Sequence, residues 1–63
     1  MMYFEEYDGY TYTISWYPPN PPSFLLFVFD LDDELIHTNF CTDPINARAE
    51  ARGFISYHET HGL

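Results

Sequence analysis

Four prolines fall within five residues, at positions 18, 19, 21 and 22, and they divide the chain into two parts. Proline has no amide hydrogen to donate and its φ angle is fixed, so this run favours an extended polyproline II path. The run therefore predicts a stiff connector between two separately patterned segments. A ligand for an aromatic groove of the SH3 or WW kind is the alternative interpretation.

The segment before the prolines has the pattern of a β-hairpin. Residues Tyr3 to Tyr7 and Tyr10 to Tyr17 are rich in aromatic and β-branched side chains, and they flank Asp8-Gly9, a dipeptide that suits a tight type I′ turn. Successive side chains of a strand point to opposite faces of its sheet. In the second strand, one face therefore carries Tyr10, Tyr12, Ile14 and Trp16, and the other carries Thr11, Thr13, Ser15 and Tyr17.

The segment after the prolines predicts a second hairpin. Residues Phe24 to Phe29 are apolar on both faces, as expected of a central strand that is covered on two sides. An acidic loop, Asp30 to Glu34, interrupts this run. The strand pattern then resumes from Leu35 to Phe40, and the alternation places Leu35 on the same side as His37 and Asn39.

The last third of the chain predicts an amphipathic helix. Thr42 or Asp43 can cap its free amides, and Pro44 suits the first helical position. At 100° per residue, one face collects Ala47, Ala51, Phe54, Ile55 and His58. The tail from Thr60 to Leu63 is expected to fray. The predicted fold class is α+β: one domain, residues 1–63, of order β-β-β-β-α, with the helix packed on one face of a four-stranded antiparallel sheet.

Length and aromatic content make a core plausible but leave one sheet face uncovered. The chain has 63 residues, including six Phe, six Tyr and one Trp. Each aromatic buries roughly 150–250 Å² when packed, which offsets the small size of the chain. Because one helix covers only one face, the two-sided strand Phe24 to Phe29 would expose apolar groups on the other. We therefore expect a homodimer or a complex with a partner.

The single cysteine and the apolar runs indicate a compartment. Cys41 alone cannot form an intramolecular disulfide, and the Cys/His spacing of a structural zinc site is absent, so a reducing environment is predicted. The first residues lack a basic stretch followed by an apolar one, and Phe24 to Phe29 is far shorter than the roughly 20 residues that cross a bilayer. These features predict a cytoplasmic protein with no membrane partner, in the host cytoplasm if the gene is a phage's.

The charge balance restricts the kind of partner. Ten acidic residues stand against Arg48 and Arg52, with no lysine, which gives a net charge of −8. Direct binding to nucleic acid is not expected, because that affinity comes mainly from Lys and Arg that neutralise phosphates. The same charge would attract a basic surface on another protein. Acidity that only keeps an aromatic-rich chain soluble is the alternative.

The motif Phe27-Val28-Phe29-Asp30-Leu31-Asp32, an apolar strand that ends in D-x-D, has the form of a catalytic motif. It resembles the first motif of the haloacid-dehalogenase-like phosphatases, a resemblance that implies Asp30 as nucleophile and Asp32 as acid/base and magnesium partner. It covers about a dozen residues. Glu34 stands where the family commonly has Thr or Val, no later lysine is present, and the family's parallel sheet is several times longer than this chain. The sequence therefore predicts that the protein is not an enzyme.

Other polar residues have the chemistry of metal ligands or nucleophiles. The acidic loop, with Asp30, Asp32, Asp33 and Glu34, could bind a hard cation, but it lacks the glycine and distal glutamate of an EF-hand. His58 and His61 have a spacing compatible with a metal, and Cys41 precedes a helix amino terminus. A packed or solvated histidine and a small buried cysteine are the simpler interpretations, so no cofactor and no metal are predicted.

Two functional hypotheses follow from these features. The first is a stoichiometric inhibitor that occupies a basic nucleic-acid-binding surface on a host protein, a class that resembles phage anti-CRISPR and anti-restriction proteins in size and charge. The second is an accessory or homodimeric subunit whose aromatic sheet face makes the contact and whose acidity is incidental. The predicted partner-binding residues are Glu5, Glu6, Asp8, Asp30, Asp32, Asp33, Glu34, Tyr10, Tyr12 and Trp16.

Overall fold

The computed structural model describes residues 2–17 and 23–61, which form four strands and one helix. The elements are β1 (Met2–Tyr7), β2 (Tyr10–Tyr17), β3 (Ser23–Phe29), β4 (Leu35–Cys41) and α1 (Pro44–His61). The predicted α+β class, with four antiparallel strands followed by a C-terminal helix, is confirmed. The predicted proline connector, at 18–22, lies outside the described residues.

The turn between β1 and β2 has the backbone that its sequence requires. Asp8 has a φ of 54° and Gly9 a φ of 84°, and positive φ at both central residues is the geometry of a type I′ turn. Gly9 also lies against the second hairpin, because a Cβ at this position would be 2.6 Å from Cδ2 of Leu31. The two loops therefore touch.

The sheet is a meander of order β1-β2-β3-β4, and every neighbouring pair is antiparallel. In a meander, alternate turns return to the same end of the sheet. The register places Glu6 opposite Thr11, and Thr11 opposite Phe29. The turn at 8–9 and the acidic loop at 30–34 consequently lie side by side at one end.

A bulge between β3 and β4 changes the alternation predicted for β4. Val28 pairs with His37 but Phe29 pairs with Leu35, so Ile36 is the extra residue on β4. Leu35 is therefore half-exposed on the side of Phe29, and Ile36 packs against the core. The predicted grouping of Leu35 with His37 was wrong, because one inserted residue reverses the side on which a strand residue points.

The core lies between the sheet and the helix. Its buried members are Tyr10, Tyr12, Ile14, Leu26, Val28, Cys41, Ala47, Ala51 and Ile55. The predicted buried face of the helix is confirmed for Ala47, Ala51 and Ile55, which are fully enclosed. With alanine at two of these positions, the helix backbone can approach the strands closely.

The ends of α1 explain its length. Asp43, rather than Thr42, caps the first turn: the amide of Ile45 donates to its carboxylate at 2.8 Å, and the amide of Ala47 donates to its carbonyl at 3.0 Å. At the other end, the Thr60 hydroxyl donates to the Ser56 carbonyl at 2.9 Å. The helix thus continues through part of the tail that was expected to fray. Within residues 2–17 and 23–61, no helix is both long and apolar enough to span a membrane.

Candidate protein-binding surface at the acidic end

Most of the carboxylates singled out in the sequence meet at one end of the sheet. This acidic end comprises Glu6, Asp8, Asp30, Asp32, Asp33 and Glu34, which occupy the end of β1, the turn at 8–9 and the loop at 30–34. Apart from Asp30, their side chains are exposed. The two hairpin ends, which the sequence treats as separate patches, therefore form one surface.

The loop at 30–34 is ordered by its first residue. One carboxylate oxygen of Asp30 accepts hydrogen bonds from the amides of Asp32, at 2.8 Å, and Glu34, at 2.9 Å. The amide of Asp33 donates to the Asp30 carbonyl at 3.0 Å, and Asp33 itself adopts a φ of 64°. Aspartate tolerates such a backbone because its short side chain adapts to the left-handed region. Asp30 is thus a structural acceptor, while the remaining three carboxylates of the loop face solvent.

Glu5 is separated from the acidic end by the alternation of β1. Its side chain faces the helix, where Arg52 Nη2 donates to both carboxylate oxygens at 3.0 and 2.9 Å. The Tyr12 hydroxyl also donates to Glu5, and Arg48 Nε lies 3.6 Å from it. The guanidinium of Arg52 stacks over the Tyr7 ring at 4.9 Å. Glu5 was predicted to bind a partner, but its carboxylate already joins β1 to the helix.

This network engages both arginines of the chain. Arg48 and Arg52 are the only Lys or Arg residues in the sequence, and both contact Glu5 on the helix side of the sheet. In the described residues, therefore, neither arginine is paired with a carboxylate of the acidic end. Within the described residues, no arginine ion pair therefore reduces the negative charge of that end, and the basic side chains of the last helical turn are His58 and His61.

Protonation of Glu5 is expected to weaken the fold. The hydrogen bonds from Tyr12 and then Arg52 lower the pKa of Glu5 below its ordinary value of 4.5. A lowered pKa in the folded state stabilises the protein above the unfolded value, and this contribution is lost as pH falls through the folded one. We expect Glu5→Gln to lower the thermal unfolding midpoint at neutral pH, and the difference from wild type to shrink as the pH falls below 4.5.

Thermal unfolding followed by circular dichroism at several pH values measures this effect. Glu6→Gln is the matched control, since it neutralises the adjacent carboxylate, which is exposed and belongs to the acidic end. The Glu6 variant should be as stable as wild type or slightly more stable, because it removes repulsion. Equal loss of stability in both variants at neutral pH would contradict the role assigned to Glu5.

The helix also ends beside the acidic end. It runs antiparallel to β4, because it starts just after Cys41 and its later residue Phe54 stacks on His37 at 4.5 Å between ring centres. Near its end, His58 Nδ1 bonds the Tyr10 hydroxyl at 2.9 Å, next to the turn at 8–9. The carboxyl end of a helix carries a partial negative charge, which adds to the field of the carboxylates.

The aromatic residues predicted to contact a partner occupy other places. Tyr10 is 6% exposed and Tyr12 is fully buried, because their face of β2 is the one that the helix covers. In this conformation a partner reaches neither side chain, so their predicted contact role is replaced by a role in the core. Trp16 is half-exposed, at the opposite end of β2 from the acidic end.

A second polar cluster, which sequence patterns alone do not reveal, lies between β4 and the helix. Glu50 bonds His37 Nε2 at 2.8 Å and the Asn39 amide at 2.9 and 3.1 Å, and Cys41 Sγ is 3.9 Å away. The signal was present in part, because His37, Asn39 and Cys41 alternate on one face of a strand. Which helical residue meets this face depends on tertiary packing. The sequence pattern therefore does not connect Glu50 with these three strand residues.

This cluster is not arranged as a nucleophile with its base. The bond to His37, more than that to Asn39, lowers the pKa of Glu50 and keeps the carboxylate charged. Burial, reinforced by this carboxylate, raises the pKa of the Cys41 thiol. A thiol is activated by the opposite shift. The arrangement therefore suits a hydrogen-bonded contact between strand and helix.

The described residues offer a small pocket but no metal site. Across residues 2–17 and 23–61, no three His, Cys, Asp or Glu side chains are grouped so as to hold a metal ion. A pocket of about 270 Å³ lies at the start of the helix, lined by Tyr3, Ile14, Pro44, Ile45 and Arg48. Its lining is mostly apolar.

Comparison with known proteins found no match to the chain among protein-family models, curated proteins or solved structures.

Proposed function

We propose that the protein binds another protein, and that its acidic end occupies a basic, nucleic-acid-binding surface of that partner in the manner of a small inhibitor. The observation that carries this proposal is the convergence of the exposed carboxylates at one end of the sheet. Binding through this end requires no catalytic group. It is consistent with the placement of Glu50 and Cys41, which are held in a contact between strand and helix.

The charge density of the acidic end supports the comparison with a phosphate backbone. Four neighbouring strands span about 14 Å between the outermost two at their usual spacing. The same length of duplex DNA carries roughly eight negative charges. The acidic end presents five exposed carboxylates, namely Glu6, Asp8, Asp32, Asp33 and Glu34, together with the end of the helix. The two densities are of the same order.

The fixed conformation of the two acidic loops also supports the proposal. Both acidic segments are short connections between paired strands, and Gly9 touches Leu31 across them. The Asp30 carboxylate holds the second loop with two backbone hydrogen bonds. Charges that are fixed before binding lose less freedom on association, so more of their attraction appears as affinity.

Neutralising three loop carboxylates should weaken this binding strongly. The variant Asp32→Asn/Asp33→Asn/Glu34→Gln removes three charges but keeps Asp30, on which the loop depends, and asparagine tolerates the positive φ of residue 33. The immobilised protein, incubated with a lysate of its native cells, should retain nucleic-acid-binding proteins that are released by added salt or by heparin. The neutralised variant should lose this retention by about tenfold or more.

A charge-conserving variant controls for changes in loop shape. Asp32→Glu/Glu34→Asp exchanges two side chains and keeps the net charge, so it should retain the same proteins as the wild type. Retention that survives heparin, high salt and the triple neutralisation would refute the proposal. In that event the contact would have to come from another surface.

A further inference from the structure

The sheet face opposite the helix is a nearly uncharged apolar surface. Cross-strand pairing and alternation place twelve side chains on this open face, in three rows of four. The rows, written from β1 to β4, are Met2, Ser15, Leu25 and Phe40; Phe4, Thr13, Phe27 and Thr38; and Glu6, Thr11, Phe29 and Leu35. Glu6, at one corner, is the single ionisable member.

The open face has an alternation of large and small side chains across the strands. β3 contributes a ridge of three large residues, and the rings of Phe27 and Phe29 are 6.4 Å apart. β2 contributes a trough of Ser15, Thr13 and Thr11 beside it. On the outer strand β1, Met2 is 66% and Phe4 is 64% exposed. Soluble monomeric proteins rarely expose contiguous apolar surface of this extent, and where they do, it marks an interaction site or an aggregation hazard.

This alternation is self-complementary under one symmetry operation. A two-fold axis that runs parallel to the strands, between β2 and β3, places β2 of one copy over β3 of the other and keeps each row opposite itself. In the middle row, Phe27 then faces Thr13 of the second copy, and Phe4 faces Thr38. An axis perpendicular to the strands would instead oppose Phe27 with Phe27 and Thr13 with Thr13, which leaves a clash beside a void.

The area of the open face is sufficient for such a contact. Four strands at their usual spacing, and three rows along them, cover roughly 400 Å² of flat surface per copy. The accessible area lost by two such faces is on the order of 1,000 Å², which is near the lower limit for a specific interface. A dimer of this size is expected to be reversible and dependent on concentration.

We propose that the open face binds a second copy of this chain, sheet against sheet, with the two-fold axis parallel to the strands and between β2 and β3. Small β2 side chains of each copy receive the large β3 side chains of the other. The sheets of a sandwich lie about 10 Å apart and are rotated by about 30°. The inference rests on other residues than the function proposed for the acidic end, except that Glu6 belongs to both surfaces.

The proposed geometry has an electrostatic consequence. Because the axis runs along the strands, the acidic ends of both copies lie at the same end of the dimer. Their repulsion weakens association at low salt and is screened once the Debye length falls to about 10 Å, near 0.1 M salt. Salt should therefore strengthen the dimer, whereas it should weaken the binding of a basic partner. The two proposals can fail separately.

The interface can be tested by exchanging the small β2 residue and the large β3 residue of the middle row. Thr13 and Phe27 are direct cross-strand partners on the open face. Three variants change this pair: Thr13→Phe, Phe27→Thr, and the double exchange that carries both substitutions. Sedimentation equilibrium should show wild type moving from 7.5 kDa toward twice that mass as concentration rises, more readily at high salt. Each single variant should weaken the dimer by about tenfold, and the double exchange should restore it.

The controls make each outcome decisive. Ser56→Phe adds the same ring on the exposed outer side of the helix and should leave the dimer unchanged. Far-UV circular dichroism establishes that each variant is folded, and the double exchange keeps the apolar area of the face constant. The proposal is overturned if wild type remains a monomer at both salt concentrations, which would leave the face to a different protein. The proposal is also overturned if Thr13→Phe dimerises more tightly than wild type, or if the double exchange does not restore the dimerisation affinity.

Discussion

Replacing Leu26 by alanine is expected to lower the free energy of unfolding by about 3 kcal/mol. Leu26 lies at the centre of β3, is fully buried, and belongs to the core between sheet and helix. A chain of 63 residues has a total stability of only about 3–9 kcal/mol. The loss is therefore between about a third and the whole of the total, so the urea concentration at the unfolding midpoint should fall by at least about a third. Urea unfolding followed by far-UV circular dichroism measures it.

The neighbouring residue provides a matched control. Leu25 points to the open face and is only partly buried. Leu25→Ala removes the same atoms as Leu26→Ala, but less buried apolar area is lost. We expect a cost below about 1 kcal/mol, provided that the measurement is made at low protein concentration, where the proposed dimer is dissociated. Equal costs for the two variants would mean that the helix does not cover the face on which Leu26 lies.

Enlarging Ala51 to leucine is expected to cost about 2 kcal/mol or more. Ala51 is fully buried where the helix lies against the strands, and added methyl groups force either strained rotamers or a displaced helix. Leucine and alanine have similar helix propensities, so the effect would come from packing alone. We expect the thermal unfolding midpoint to fall, with a broader transition if the helix separates from the sheet.

Ala49→Leu is the control for this substitution. Ala49 lies two residues earlier on the same helix and is exposed, so the larger side chain should change stability by no more than about 0.5 kcal/mol. Stabilisation of the protein by Ala51→Leu would indicate an unfilled space under the helix. Such a result would contradict the close approach that the buried alanines indicate.

The local elements were predictable because their causes are local. The Asp8-Gly9 pair supplies the positive φ angles of a type I′ turn, and strict alternation over Tyr10 to Tyr17 defines a strand with two different faces. Pro44 after Asp43 specifies the helix start within a residue. Each of these signals acts over a few residues, and each was recognisable without knowledge of the rest of the chain.

The candidate surface was only partly predictable, because its parts are far apart in sequence. Glu5 and Glu6 are adjacent and chemically equivalent, yet Glu5 is bound by Arg52, 47 residues later, while Glu6 is exposed. The alternation of β1 separates the two, but which side the helix covers depends on packing. The same choice buried Tyr10 and Tyr12. The bulge that exposes Leu35 arises from pairing with β3 and has no local marker in β4.

Short-range features of the sequence are enough to specify the number, kind and approximate limits of the elements, the amphipathic face of the helix and the excess of negative charge. Turn chemistry, side-chain alternation and composition are properties of short segments, so they do not depend on the fold. The meander order of the sheet, which brings the two acidic turns to one end, depends instead on how the strands pair in the folded chain. Tertiary packing also decides which sheet face the helix covers, because that depends on how well distant side chains fill the space between them. The acidic end and the open face, on which both proposals rest, are consequences of those two choices.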